Sequence, residues 1–272
     1  MKFSKVVSVI IPCFNSKAYL KEAIDSVLKS DFGDYEIIVV DDGSTDQETI
    51  VFLDTQEWTE NIRMFSKENG GPASARNFGV AQSKGEFLLF LDSDNMIRPN
   101  YLKKAVRQMK ADPKLAVVYS KPAFFGTGGE SKARYEVRSF SFDALLAGNY
   151  IDMCSLVRKE AFLKTGGFDE NCELFFGEDA DLWVRISEMG WKFLFLDEVL
   201  FDYRVREKSI MGQIDNDKLV RTIEYFGKKH SFIIHQRYRQ YYRVMDQIQK
   251  SPFSYFLRIL YYKYFKRSPF IK

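Results

Sequence analysis

The chain has 272 residues, 46% of them hydrophobic and 28% charged, which is enough for one large domain or a domain with an appendage and excludes wholesale disorder. Three widely separated cysteines without C-x-x-C spacing speak against a zinc site or a disulfide framework and fit a reducing, cytoplasmic compartment. No apolar run approaches the ~20 residues needed to span a bilayer, but charge is uneven: of 40 basic and 37 acidic residues, 11 and one fall beyond Gly227, so a body of net −7 carries a tail of net +10 that suits an anionic surface, membrane or nucleic acid.

Residues 6–11 form a β-branched run, predicting a buried parallel strand. Pro12 and an immediate helical pattern argue against a signal segment there. Ser16 opens a helix whose Tyr19, Leu20, Ile24, Val27 and Leu28 keep helical spacing. A second strand at 36–40 runs into Asp41, Asp42 and Gly43, with Ser44 or Thr45 placed to cap the next helix. A third short strand at 62–65 leads to paired glycines, Pro72 and a helix carrying Arg76.

The fourth strand, 87–91, is the centre of the reading. It stops at Asp92, Ser93, Asp94 and Asn95, and strand ends in open α/β sheets are where ligands sit. Two carboxylates one residue apart repel each other unless a cation lies between them, and Mg²⁺ takes one or two protein carboxylates plus phosphate and water. The plainer alternative is a pair of turn-forming aspartates. Four strands alternating with helices predict a doubly wound α/β sheet. Neither G-x-G-x-x-G nor a P-loop occurs, so the standard dinucleotide and NTP cradles are missing.

Downstream, 98–109 reads as helix, 116–119 as strand and 126–138 as a mobile, glycine-rich loop of the lid or acceptor-contact type. A strand at 151–157 precedes a short helix ended by Gly166-Gly167. A further helix opens on Glu178 and Asp179 and ends at Gly190, followed by strands at 192–196 and 199–205. Everything after about Met211 reads as helical, giving a domain at 1–210 and a basic, aromatic helical tail at 211–272.

VSVIIPCFN, VVDDGSTD, NGGPASARNFG, FLDSDN, GGFDEN and GEDADLWVR occur in that order. Each is modest alone; together they are specific. From about residue 6 to 205 the chain resembles the family 2 glycosyltransferases, nucleotide-sugar-dependent enzymes of the GT-A fold. The resemblance implies a mixed α/β sheet of GT-A type, a UDP-sugar donor, bound Mg²⁺ or Mn²⁺, and inverting transfer to a hydroxyl. It places Pro12, Phe14 and Asn15 on one wall of the base pocket and Asp41 on the base or ribose. Asp42 is the turn carboxylate. Arg76 would contact base or phosphate, its alternative being a surface salt bridge. Asp94 would bind the metal, with Asp92 and Ser93 supporting metal or nucleotide. Asp179 would be the general base, although an acid in a helix's first turn is also favoured by the helix dipole alone. Glu178 and Trp183 would line the acceptor site. Arg206 stands where many relatives carry a histidine; it cannot ligate a metal but can bind diphosphate, which implies an ion held weakly without donor.

In the tail, Phe253, Phe256, Leu257, Leu260, Tyr261 and Tyr264 share one helical face among Arg258, Lys263, Lys266 and Arg267. Such a helix suits an anionic membrane; its alternatives are packing on its own domain, a homodimer or, least favoured, nucleic acid. The function expected is sugar transfer to a saccharide or lipid-linked saccharide in surface polysaccharide or glycolipid synthesis, with the enzyme peripheral on the inner membrane face. The alternatives are a nucleotidyltransferase of similar architecture and a non-catalytic nucleotide-binding scaffold at the membrane.

Overall fold

The computed structural model describes residues 4–126, 136–171, 177–206 and 215–264. Most of the glycine-rich loop at 126–138 lies outside the described residues, as do Cys172, Lys266 and Arg267. The chain divides into two compact units, Met1–Ile223 and Glu224–Lys272.

The first unit begins β1 (Lys5–Cys13), α1 (Lys17–Leu28), β2 (Tyr35–Asp41), α2 (Gln47–Thr55), β3 (Ile62–Ser66), α3 (Gly71–Gln82), β4 (Gly85–Phe90). It continues β5 (Met96–Ile97), α4 (Tyr101–Ala111), β6 (Leu115–Gly126), α5 (Phe142–Ala147), β7 (Leu156–Arg158), α6 (Lys159–Thr165), α7 (Glu178–Glu188) and β8 (Lys192–Val205). Among the described residues the strands form one mixed sheet in the order β3-β2-β1-β4-β7-β6-β8-β5. β3, β2, β1 and β4 are parallel. β7 runs antiparallel to both β4 and β6, and β6 and β8 are parallel along their length.

The β-branched runs form strands because both sheet faces are covered, so no polar alternation is needed. Val7, Val9 and Ile11 share one core with Leu20, Ile24 and Val27 of α1 and with Tyr101 and Leu102 of α4. Each such aliphatic side chain contributes about 1.5–3 kcal/mol on burial. On the opposite face α3 comes very close to β1: a Cβ at Gly79 would sit 2.6 Å from Ile10 Cγ2. A larger residue there would push α3, and Arg76 with it, off the sheet.

Several boundaries differ from expectation for local reasons. Asp46 rather than Ser44 or Thr45 caps α2, accepting from Thr49 N at 2.8 Å. The strand expected at 151–157 shrinks to Leu156–Arg158. Asp152 Oδ1 accepts from Cys154 N (2.8 Å), and Ser155 Oγ donates to Asp152 O (2.6 Å). These local bonds bend the backbone out of the ladder. The two strands expected at 192–196 and 199–205 are one strand, β8, whose pairing with β6 shifts register near Lys121 and Pro122. Asp197 and Glu198 read as a break, but β6 carries the ladder past them by a bulge.

α8 (Asn216–Lys229) straddles the division between units, and α9 (Ser231–Lys250) and α10 (Pro252–Tyr264) complete the second. No residue of α9 is buried.

Candidate active site

The ends of β1 and β2 lie side by side, with Cys13 opposite Asp41. Near the end of β1 Pro12 is half-buried, and just beyond the strand Phe14 is 46% exposed, its ring open to a ligand. Asn15 adopts a left-handed φ of 50°. Its amide oxygen accepts from Thr45 N (2.8 Å) and Asp46 N (3.0 Å), so it staples the two turns together. Asp41 is buried and accepts from Ser44 N. Asp42 accepts from Lys67 Nζ (2.8 Å), Gly70 N (3.0 Å) and Gly71 N (2.7 Å), which makes it the anchor of the α3 N-terminus.

After β4 the chain turns through Asp92, Ser93 and Asp94, all half-buried, and Asn95, which is buried. α3 delivers Arg76 beneath this turn. Arg76 is 5% exposed, donates to Asp92 Oδ1 at 2.8 Å and to Glu178 Oε1 at 2.7 Å, and lies 5.6 Å from the Phe168 ring. Burial disfavours its charge, but Asp92 and Glu178 outweigh that and raise its pKa. The surface salt bridge weighed as the alternative for Arg76 is therefore a buried bridge between two acids.

The far side of the turn is held by β8. Arg204 N donates to Asn95 Oδ1 (2.9 Å) and its Nε to Asp94 O (3.0 Å). Its guanidinium lies over the Tyr19 and Phe125 rings, and it also pairs with Glu22. Arg206 pairs with Asp94 Oδ2 at 2.7 Å. Burial pushes the Asp94 pKa up and Asp92 adds to this, while Arg206 opposes it.

α7 brings the third wall. Gly177 precedes it at φ 81°, a left-handed turn that swings the helix start into place. Asp179 Oδ1 accepts from Ala180 N (2.7 Å), and Oδ2 accepts from the Asn149 amide (2.7 Å). Burial first, then Glu178 and Asp152, push the Asp179 carboxyl up to about 8, against the pull of Arg76.

Trp183 departs from expectation. It is 0% exposed, donates from Nε1 to Ile151 O (3.2 Å) and meets Phe193 edge-on. It sits one turn below Asp179 on the same helical face, where that face has already left the cleft for the core. Its ring is thus not available to an acceptor.

Three ion pairs, Arg206 with Asp94 and Arg76 with Asp92 and Glu178, are linked by two carboxylate repulsions, Asp92 on Asp94 and Glu178 on Asp179, into one charged group. Three participants were not anticipated. Asn149 carried only a turn signal after Gly148. Asp152 is a polar interruption of an apolar run, a signal that was available. Arg204 stands two residues before Arg206 in the same basic segment.

The sequence model for "Glycosyl transferase family 2" matches residues 8–166. An uncharacterized glycosyltransferase of Rickettsia typhi is 34% identical over 238 residues, covering 82% of this chain and 70% of that protein. The minor teichoic acid biosynthesis protein GgaB of Bacillus subtilis is 32% identical over 213 residues, covering 75% of this chain but only 23% of that one. A crystal structure of S. aureus TarS 1–349 in complex with UDP-GlcNAc superposes with a TM-score of 0.61 at 25% identity, covering 77% of this chain and 61% of that chain.

Proposed function

From the premise that the chain belongs to glycosyl transferase family 2 and is a glycosyltransferase of GT-A fold, we propose that it moves a sugar from a nucleotide-diphosphate donor to a hydroxyl acceptor with inversion. The observation carrying this reading is the double bridge of Arg76 to Asp92 (2.8 Å) and Glu178 (2.7 Å). It ties the acidic end of β4 to the first turn of α7, the two parts of the chain that would handle the leaving and attacking groups.

Phe14 supplies a face for the base, and Asp41 a polar anchor beside it. UDP is the favoured donor nucleotide, because the TarS structure contains UDP-GlcNAc. The diphosphate would lie over Asp92, Ser93 and Asp94, where Arg206 can exchange its bond to Asp94 for phosphate oxygens. Two carboxylates one residue apart suit Mg²⁺ or Mn²⁺ completed by diphosphate and water, since among the described residues no group of three or more His, Cys, Asp or Glu gathers to hold an ion, and Arg206 would give up Asp94 to it. Asp94, supported by Asp92, would hold the ion, and its positive charge would stabilise the departing diphosphate.

The acceptor oxygen attacks the anomeric carbon as the bond from that carbon to the diphosphate oxygen breaks. The proton leaves the hydroxyl for Asp179. A carboxyl raised to about 8 is a stronger base than an ordinary one, suited to a proton in flight near neutrality. Asn149 holds its Oδ2, and Glu178 marks the acceptor side. The name of the GgaB relative favours an acceptor in a surface polymer, a saccharide or lipid-linked saccharide.

Incubation with UDP-sugars and Mn²⁺ tests the reading: slow donor hydrolysis is expected, lost in Asp94→Ala. Asp179→Asn should still bind UDP but fail to transfer to an added acceptor. Hydrolysis unchanged in Asp94→Ala, or transfer unchanged in Asp179→Asn, would overturn it.

A further inference from the structure

The proposed reaction leaves one large surface unused, that of the second unit, Glu224–Lys272. α9 runs for 20 residues with none buried. Ile234, Tyr238 and Met245 recur at three- and four-residue multiples along it with Tyr242 beside them, and all are exposed, Tyr238 at 65%. On α10, Phe253, Phe256 and Leu257 form a second stripe, Phe253 being 72% exposed. Soluble surfaces do not usually leave apolar side chains in continuous rows unless something covers them.

The charge around these stripes says what kind of cover fits. Between Glu224 and Lys272 there are eleven Lys/Arg and two acids, Glu224 and Asp246. Arg239, Arg243 and Lys250 share a neighbouring row of α9 and flank the stripe on its Tyr242 edge, following helical geometry. A second copy of the chain would bring an equally positive unit against this one. Single-stranded nucleic acid satisfies the charge, but it binds flat rings, and Ile234, Met245, Leu257 and Ile259 offer no stacking plane. Mixed aliphatic and aromatic stripes beside basic residues match lipid, with rings at the level of the headgroups and cationic heads on lipid phosphates.

We infer that the α9–α10 unit is an anionic-lipid docking surface. The helices lie in the plane of the membrane: among the described residues no helix is long and apolar enough to cross one. Apolar burial and attraction to anionic headgroups act together, so removal of either weakens binding.

Sedimentation of the full chain with phosphatidylcholine vesicles, with and without phosphatidylglycerol, tests this independently of sugar transfer. Binding should be at least about tenfold tighter with phosphatidylglycerol. The exposed triple variant Phe253→Ser, Phe256→Ser, Leu257→Ser should weaken it by about tenfold or more, while helical circular dichroism and donor hydrolysis stay as in the parent. Arg239→Gln, Arg243→Gln, Lys250→Gln should remove the preference for the anionic lipid. Equal binding to both vesicles, or full binding by either triple variant, overturns the inference. So does capture of a single-stranded oligonucleotide, or self-association in the ultracentrifuge, by a chain that ignores the vesicles.

Discussion

Two strand ends in this molecule look alike in sequence and behave differently. β2 ends in Asp41-Asp42 and β4 runs into Asp92-Ser93-Asp94. Asp42 is neutralised by two backbone N–H groups and Lys67, with its side chain only 4% exposed. Asp92 and Asp94 instead face Arg76 and Arg206, the latter 38% exposed. Backbone donors are fixed by the helix they begin, whereas a half-exposed guanidinium can leave for another anion. On the proposed reading, what separates the structural Asp42 from Asp94 is thus the neutraliser, more than the motif.

The sharpest way to break that contrast is to delete one acid from each end. Asp94→Ala should lower transfer by roughly a hundredfold or more, with folding stability within about 1 kcal/mol of the parent because its loss removes a partly desolvated carboxylate. Asp42→Ala should do the reverse. It should cost about 2–3 kcal/mol in urea unfolding, since it strips a cap and leaves buried donors unmet, while the rate at saturating donor is largely kept.

A third acid sharpens the picture through pH. Because Asp179 is raised to about 8, kcat/KM should climb with pH through that region as the base ionises, and Asp179→Asn should lose that limb. The sign for stability is opposite. The unfolded chain releases this proton near the ordinary carboxylate value, so the folded state is penalised progressively above it and the penalty is complete beyond about 8. Melting curves should show the Asn variant gaining on the parent up to that pH and no further. The smallest effect concerns Arg206→Gln. Calorimetry without donor should show severalfold tighter Mn²⁺ binding, because a competing cation has gone, together with weaker UDP binding. Tight Mn²⁺ binding by the unaltered chain would contradict the expectation of an ion held weakly without donor.

Much of the fold was legible, because β-branched runs such as 6–11 and 36–40 leave little alternative to buried strands. What failed was local or long-range in origin. The short contacts of Asp152 undo a strand that apolar composition predicts. The joining of two strand segments into β8 depends on β6, whose partners lie 76 to 79 residues earlier, a span that no window along the chain contains. At the site, residue types at strand ends were readable as chemistry. That Arg76 would bridge two acids, or that Trp183 would sink into the core, depends on where α7 docks, and docking is a property of the assembled sheet.

The position of Trp183 has a practical consequence. Its indole is sealed from water one helical turn beneath Asp179, and bonded to the carbonyl that precedes Asp152. When Asp179 gains or sheds its proton, the field across that ring changes in surroundings that screen it poorly. With Trp58 and Trp191 replaced by Phe, the remaining tryptophan emission serves as a native optical electrode for the proposed base: its wavelength should titrate with alkalinity and stay flat once Asp179→Asn is added, with no dye, label or turnover required.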